Sequence, residues 1–359
     1  MSKVTYLLGA GASFGERAVD DKGRKYFLRG LPVLSELERA IDSLLPRDSG
    51  GNIHVSRNFL EEHGIKNEQQ LLYLFRLLLQ LEEMCASYPT IDTLARQLYV
   101  TKGTYTTTVY KNAFNYDDLK YALTLALLML QSHKKRDLRY DGFIASVIKD
   151  DQQMPPMTIL SWNYDAQFEL AYSGYSKDRY IPHLWQELNV LNKTYPTGFD
   201  VHKPFAMIKL NGTAFFKDIT HPIDIQGQQV AGIRDCFFGE AVPKNNYQYG
   251  TEYANASGAL FTTLSYAWEP SKDGLFRQHI FNRIHDTETL IVIGYSFPYV
   301  KSDMDSYILE RMLGLRTVYI QDPNYEDVKE RMMTMIPKKN IPVHFEQRSD
   351  KQFYIPKEF

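Results

Sequence analysis

Lys3-Val-Thr-Tyr-Leu-Leu-Gly-Ala-Gly-Ala-Ser-Phe-Gly15 is the stretch from which the rest of the fold can be worked out. Val4 to Leu8 is a short apolar, β-favouring run that reads as a strand inside a core. Gly9, Gly11 and Gly15 then allow the backbone to turn sharply and to approach a neighbour where a Cβ would intrude. A glycine turn between a buried strand and a helix gathers amide N–H groups around one point, an arrangement suited to a pyrophosphate. The spacing Gly-x-Gly-x-x-x-Gly is one residue longer than the common dinucleotide fingerprint. A purely structural turn is the other reading of the same residues.

The chain has 359 residues, of which 44% are apolar, enough for one large α/β domain with insertions or for two domains. A formal net charge of −2 gives no electrostatic case for nucleic-acid binding, which would show as a basic stripe. Cys85 and Cys236 are the two cysteines, too few for a four-cysteine zinc site and in keeping with a reducing cytosol. No apolar run has the length to span a bilayer, and the start shows no leader pattern. These features together predict a soluble, cytoplasmic protein without zinc.

Outward from the glycine turn, Pro32 to Leu45 has the apolar period of a helix. The pattern stays helical through Glu68–Ala86, Ile91–Val100, Tyr116–His133 and Leu138–Ile148. The run Lys134-Lys-Arg-Asp-Leu-Arg139 reads as a solvated helix end. Short apolar strands are predicted at Met157–Ser161, Ala206–Leu210, Thr289–Ile293, Thr317–Gln321 and Val343–Phe345. Helices are predicted between them at Tyr164–Tyr172, Leu275–Asp286, Asp303–Leu313 and Tyr325–Met335. Strands alternating with helices predict an α/β protein, a Rossmann-like doubly wound parallel sheet with a helical insertion. The expected division is a Rossmann-like domain from residues 1–48 and 151–359, interrupted by the helical insertion 49–150.

Ligands of such sheets bind beyond the carboxyl ends of the strands, where strand order reverses. Small, amide, hydroxyl and carboxylate residues gather at those ends: Gly9-Ala10-Gly11-Ala12-Ser13, Ser161-Trp162-Asn163-Tyr164-Asp165, Asn211-Gly212 and Gly294-Tyr295-Ser296. In this combination the sequence resembles the sirtuin-like family of NAD-consuming enzymes. Gly9, Gly11 and Ser13 match its Gly-Ala-Gly-x-Ser run, Asn163 and Asp165 its Asn-x-Asp motif, and Gly294 and Ser296 its later Gly-x-Ser. The likeness is closer to the bacterial branch encoded in anti-phage defence loci, which lacks the zinc module.

That resemblance implies NAD, or ADP-ribose, as ligand, and cleavage of NAD to nicotinamide and ADP-ribose. It also implies a homo-oligomer and a protein partner in a defence system. Gly9, Ala10, Gly11 and Ser13 would cradle the pyrophosphate. Asn163 would sit beside the nicotinamide ribose and hold the attacking water, and Asp165 would meet the carboxamide. Gly294 and Ser296 would approach the phosphates and the adenine-side ribose, with Gln321 or Asp322 at the adenosine hydroxyls. Oriented dipoles, a carboxylate and a positioned water suit a reaction in which positive charge develops on the sugar and a neutral group leaves.

The family carries a His-Gly pair whose His is its general base, and here the pair is Asn211-Gly212. An amide takes no proton near neutral pH, and general-base help is commonly worth about 10²–10⁴-fold. Protein deacylation is therefore not expected, while NAD hydrolysis would need another base; His183 and His202 are the nearest histidines in sequence. A catalytically silent NAD- or ADP-ribose-binding subunit and a structural subunit are the rival expectations.

Plainer readings accompany each motif. Asn211-Gly212 between apolar runs is also a hairpin signal. Asn163 could cap a helix starting at Tyr164, and Asp165 could complement that helix's dipole. Asp303 and Asp305 read as the first turn of a helix rather than metal ligands. The Tyr- and Asn-rich loop 236–255 reads as a lid or an oligomer contact.

Overall fold

Seven parallel strands carry the architecture, in the order β13-β12-β11-β1-β6-β8-β7. They belong to a computed structural model that describes residues 3–19, 21, 25–45, 47–48, 50–53, 68–88, 90–106, 113–133, 136–177, 181–194, 198–218, 260–270, 274–299, 302–337, 342–349 and 351–357. The loop 236–255 lies outside the described residues. In chain order the strands are β1 Val4–Leu8, β2 Arg17–Val19, β3 Lys25–Phe27, β4 Tyr105–Thr106, β5 Ala113–Phe114, β6 Thr158–Ser161, β7 Val190–Asn192, β8 Ala206–Lys209, β9 Gly212–Asp218, β10 Leu260–Leu264, β11 Thr289–Ile293, β12 Thr317–Gln321 and β13 His344–Gln347. The fold is a Rossmann-like, doubly wound α/β fold.

β1 and β11 are buried along their whole length, as expected of parallel strands covered on both faces. Leu8 pairs in register with Ile293 of β11 on one side and with Ser161 of β6 on the other. On one face, Leu7, Leu160, Ile208, Val292 and Val318 pack with Ile280, Ile284, Ile308 and Leu309 from the helices Phe276–Ile284 and Ser302–Arg311. Each such side chain contributes about 1.5–3 kcal/mol by burial. The opposite face is aromatic. Tyr6 meets Phe143 edge-on at 5.2 Å, and Phe168 stacks on Phe205 at 6.3 Å, from the helices Leu138–Val147 and Gln167–Tyr172.

Residues 1–31, 136–213 and 265–359 form this sheet unit, and 32–135 with 214–264 form a second compact unit. In the second unit the helices Leu37–Asp42, Glu68–Ser87 and Tyr116–His133 pack on one another, and β10 lies against the last of them. Thr90 caps the helix Ile91–Thr101 by accepting from Thr93 N–H at 3.1 Å, the usual role of an N-cap hydroxyl.

Three local expectations change. Asn211-Gly212 does not close a hairpin between its flanking strands: β8 joins the parallel sheet, while β9 pairs with β10 in a separate ladder. Gly212 at φ +66° turns the chain out of the sheet, a use of glycine that differs from a two-residue hairpin turn. The helix expected from Tyr164 starts at Gln167 with Ala166 as its cap residue, so Asn163 caps nothing and Asp165 precedes the first turn. The run 134–139 is not simply a solvated helix end. Asp137 is buried, caps the helix Leu138–Val147 and accepts from Arg139 N–H at 2.9 Å, while Arg139 is mostly buried beside it.

Candidate functional site

The strand order reverses between β1 and β11: the chain leaves β1 toward β6 on one side and returns later to β11 on the other. Ligand crevices in doubly wound sheets open at this point. Here the two glycine turns meet. Gly9 N–H donates to Ile293 O at 3.0 Å and Gly11 N–H to Gly294 O at 2.9 Å. A Cβ on Gly11 would sit 2.6 Å from the Gly294 Cα, and Gly294 has φ +59°. Glycine at 11 and 294 is therefore required by the contact of one turn with the other. Ala12 N–H donates to Gly9 O and Phe14 N–H to Gly11 O, so these loop amides are engaged by backbone. Ala10 is exposed, within the short 3₁₀ turn Ala10–Ser13.

At the last residue of this turn polar side chains converge. Ser13, at the end of the β1 turn, lies 2.9 Å from the Tyr140 hydroxyl, oxygen to oxygen, and its Oγ accepts from Asn163 Nδ2 at 3.0 Å. Asn163 follows β6, and its own N–H donates to Ser161 Oγ at 3.2 Å. Asp165 Oδ1 accepts from Gln167 N–H at 3.0 Å, and the Gln167 side-chain amide donates to Ser13 O at 3.4 Å. Asn163 and Asp165 are each 6% exposed.

Burial pushes the Asp165 carboxyl above the usual carboxylate range, against the Lys209 ammonium and the Gln167 and Ser13 hydrogen bonds, which pull it down; Glu169 adds to the rise. Burial is the dominant cause, as expected for a carboxylate removed from water. Lys209, at the end of β8, donates to the Asp165 carbonyl at 2.6 Å and pairs with the fully buried Glu169 at 3.1 Å. Trp185 Nε1–H also donates to Glu169, at 3.1 Å.

A second layer fixes the turn. Asp137 accepts from Gly15 N–H at 2.8 Å, and Arg139 bridges Asp137 Oδ2 (2.6 Å) and Gly11 O (2.8 Å). Gln167 accepts from Asp137 N–H at 2.7 Å. The helix Leu138–Val147 is thereby tied to the glycine turn and to the segment after β6. Burial, and next the nearby Asp165 charge, pushes the Tyr140 hydroxyl well above the ordinary tyrosine range.

The remaining sequence candidates sit in different surroundings. Asn211 is 0% exposed; its Nδ2 donates to Trp162 O at 3.3 Å and its Oδ1 accepts from Ala267 N–H at 3.2 Å. Gln321 donates to Ser349 O and to Gln352 O (2.7 Å) and accepts from Tyr354 N–H at 2.8 Å. Asp322 closes a local turn by accepting from Asn324 N–H at 2.8 Å. Ser296 is exposed, and its carbonyl accepts from Arg331. His202 is exposed and precedes β8, at the opposite edge of the sheet from the glycine turn. Asp305 does fall in the first turn of its helix, yet it is buried and accepts from Trp162 Nε1–H (3.1 Å) and the Tyr295 hydroxyl (2.8 Å).

Sequence reasoning passed over Asp137, Arg139, Tyr140, Gln167, Glu169 and Lys209. Lys209 did leave a signal: a lysine between Ile208 and Leu210 in a buried strand needs a partner. Tyr140 left none, because an aromatic on an amphipathic helix reads as core.

Among the described residues no helix is long and apolar enough to cross a membrane, and no group of three or more His, Cys, Asp or Glu could hold a metal ion. No protein-family model matches the sequence, and no curated protein matches it either.

Proposed function

We propose that this protein is a sirtuin-like NAD-binding protein that hydrolyses NAD to nicotinamide and ADP-ribose at the carboxyl edge of β1 and β6. One observation carries the reading: Asn163 donates to Ser13 Oγ, joining two separate motifs, and Gln167 links Asp165 to the same place, with its N–H on Asp165 Oδ1 and its side-chain amide on Ser13 O, beside the reversal of strand order. Hydrolysis joins water to the sugar carbon, expels nicotinamide with the bonding pair and releases one proton. Asn163 would orient the water. With Asn211 in place of the family's His, Asp165 is the proton acceptor, since a carboxyl raised by burial is a stronger base than an ordinary aspartate. The proposal extends to a cytoplasmic homo-oligomer that acts with a protein partner in anti-phage defence.

Purified protein incubated with NAD should release nicotinamide, measured chromatographically, and Asn163→Ala should lower that release by about 10²-fold or more while the melting temperature stays within a few degrees. Equal release by the variant, or none from the wild type alone and with its partner, would remove the enzyme reading.

A second reading has its own support. Asn211 is engaged by backbone on both ends of its amide, which suits a chain that holds NAD or ADP-ribose as a signal without turning it over. Calorimetry showing tight NAD binding with no nicotinamide release would select it.

A further inference from the structure

Lys209, 1% exposed, stands between Ile208 and Leu210 at the end of β8, in register with Ser161 of β6. Ile208 and Leu210 enter the apolar cluster on one face of the sheet, so by strand alternation Lys209 turns to the other. There its ammonium meets two groups. One is Glu169, 0% exposed, from the helix Gln167–Tyr172 at 3.1 Å, and the other is the main-chain carbonyl of Asp165 at 2.6 Å. The Asp165 carbonyl lies outside the helix's own ladder, which begins one residue later with Leu170 N–H on Ala166 O at 2.8 Å. A buried ion pair adds little net stability over apolar residues of like volume, because desolvation of both charges offsets their attraction. Position is what this pair does supply. We propose that Lys209 is a positioning residue for the Asn163-Tyr164-Asp165 segment: with Glu169 neutralising its charge in the core, it holds the Asp165 backbone, and with it the carboxylate, in one place past β6.

This inference rests on the NAD reading for its reaction, though the hold of Lys209 on Asp165 is a property of the protein alone. Lys209 acts through Asp165, the proton acceptor of that reading, rather than on the sugar itself. Asp165 Oδ1 accepts from Gln167 N–H at 3.0 Å, so the Gln167 amide reports where the Asp165 side chain stands. Trp185 Nε1–H donates to Glu169 at 3.1 Å, a bond that a neutral glutamine at 169 still accepts. Substitution therefore separates stability from position. Lys209→Met alone leaves Glu169 buried without its cation, whereas Lys209→Met combined with Glu169→Gln removes both charges and keeps the Trp185 bond.

The test compares the full-length wild type with Lys209→Met and with the double variant Lys209→Met/Glu169→Gln. The single variant should melt lower than wild type, and the double variant should recover most of that loss. In the double variant the Gln167 amide should exchange its hydrogen at least about tenfold faster than in wild type. The Leu7 amide of β1, which reports global unfolding, should keep its rate within about twofold. Nicotinamide release should fall by about tenfold or more in kcat in both variants, on the plateau of the pH profile, with KM within about twofold of wild type. A double variant whose Gln167 exchange stays at the wild-type rate overturns the proposal, and so does one in which release recovers together with the melting temperature. Should the wild type release no nicotinamide, the NAD reading falls, and the Gln167 exchange alone then decides the role of Lys209.

Discussion

Just past β6 the Asn163 side chain meets another side chain, whereas Asn211 past β8 and Gln321 at the end of β12 meet backbone. Asn163 donates to Ser13 Oγ, which also lies 2.9 Å from the Tyr140 hydroxyl. Asn211 and Gln321 instead hold carbonyls and amides of distant segments, at Trp162, Ala267, Gln352 and Tyr354. Asn163, Ser13, Asn211 and Gln321 are all buried amide or hydroxyl groups at or just past a carboxyl strand edge. A side chain that satisfies main chain is committed to architecture, because its removal leaves buried main-chain groups unpaired. A side-chain cluster keeps capacity that a ligand can use. The same residue types at the same edge thus do two jobs, and only their partners tell the jobs apart.

The sharpest way to break this contrast is at the glycine contact beneath both regions. Gly294→Val puts a branched side chain at φ +59° against the Gly11 backbone. It should cost about 3 kcal/mol or more and leave no folded protein in a thermal melt. Next comes Asn211→Ala, which removes a buried hydrogen-bond partner from Trp162 O and from Ala267 N–H and should cost about 2–4 kcal/mol in denaturant unfolding. NAD affinity per folded molecule should be unchanged, and a specific loss of affinity there would erase the contrast. Asn211→His, which restores the family's residue, should also destabilise, because the site is fully buried and made for an amide.

Asp165→Asn probes the other region through pH. Burial raises the folded-state carboxyl above its unfolded value, so the folded form holds its proton more tightly. The stability this gives is fully present below the unfolded pKa and is lost as pH rises through the folded one. Wild type should therefore lose ground to Asp165→Asn between acid and neutral pH in parallel melts, and a difference that grows in favour of wild type would contradict the burial account. Asp322→Ala has the smallest expected effect. Without the Asn324 turn bond stability should fall by about 0.5 kcal/mol, and NAD affinity should not change.

Much of this was readable from sequence and some was not. Five of the six apolar runs are the strands they were taken for, the sixth, Val343–Phe345, being displaced to His344–Gln347, and continuous burial of β1 and β11 is what a parallel sheet covered on both faces requires. The three-residue β7 is too short to show a period. The start of the helix at Gln167 depends on the Asp165 side chain capturing its N–H, a competition between side chain and backbone that periodicity does not register. Partnership was the larger gap. Asn163 and Asn211 are the same residue type at equivalent strand ends, and nothing local separates the one beside a serine hydroxyl from the one between two peptide groups. Asp137 and Arg139 were hidden by their charged neighbours, since a run of charges conceals an ion pair that turns inward.

The tail crossing the sheet edge has a consequence for how the molecule comes to be. The Tyr6 hydroxyl donates to Tyr354 O, 348 positions away, and Phe353 packs edge-on against Tyr140 at 5.0 Å. The helix that steadies the glycine turn therefore lacks part of its packing until residues far along the chain have joined it. Contacts of such separation form slowly, so a chain truncated before Phe353 should hold the helix Leu138–Val147 and the glycine turn less firmly, seen as faster amide hydrogen exchange there.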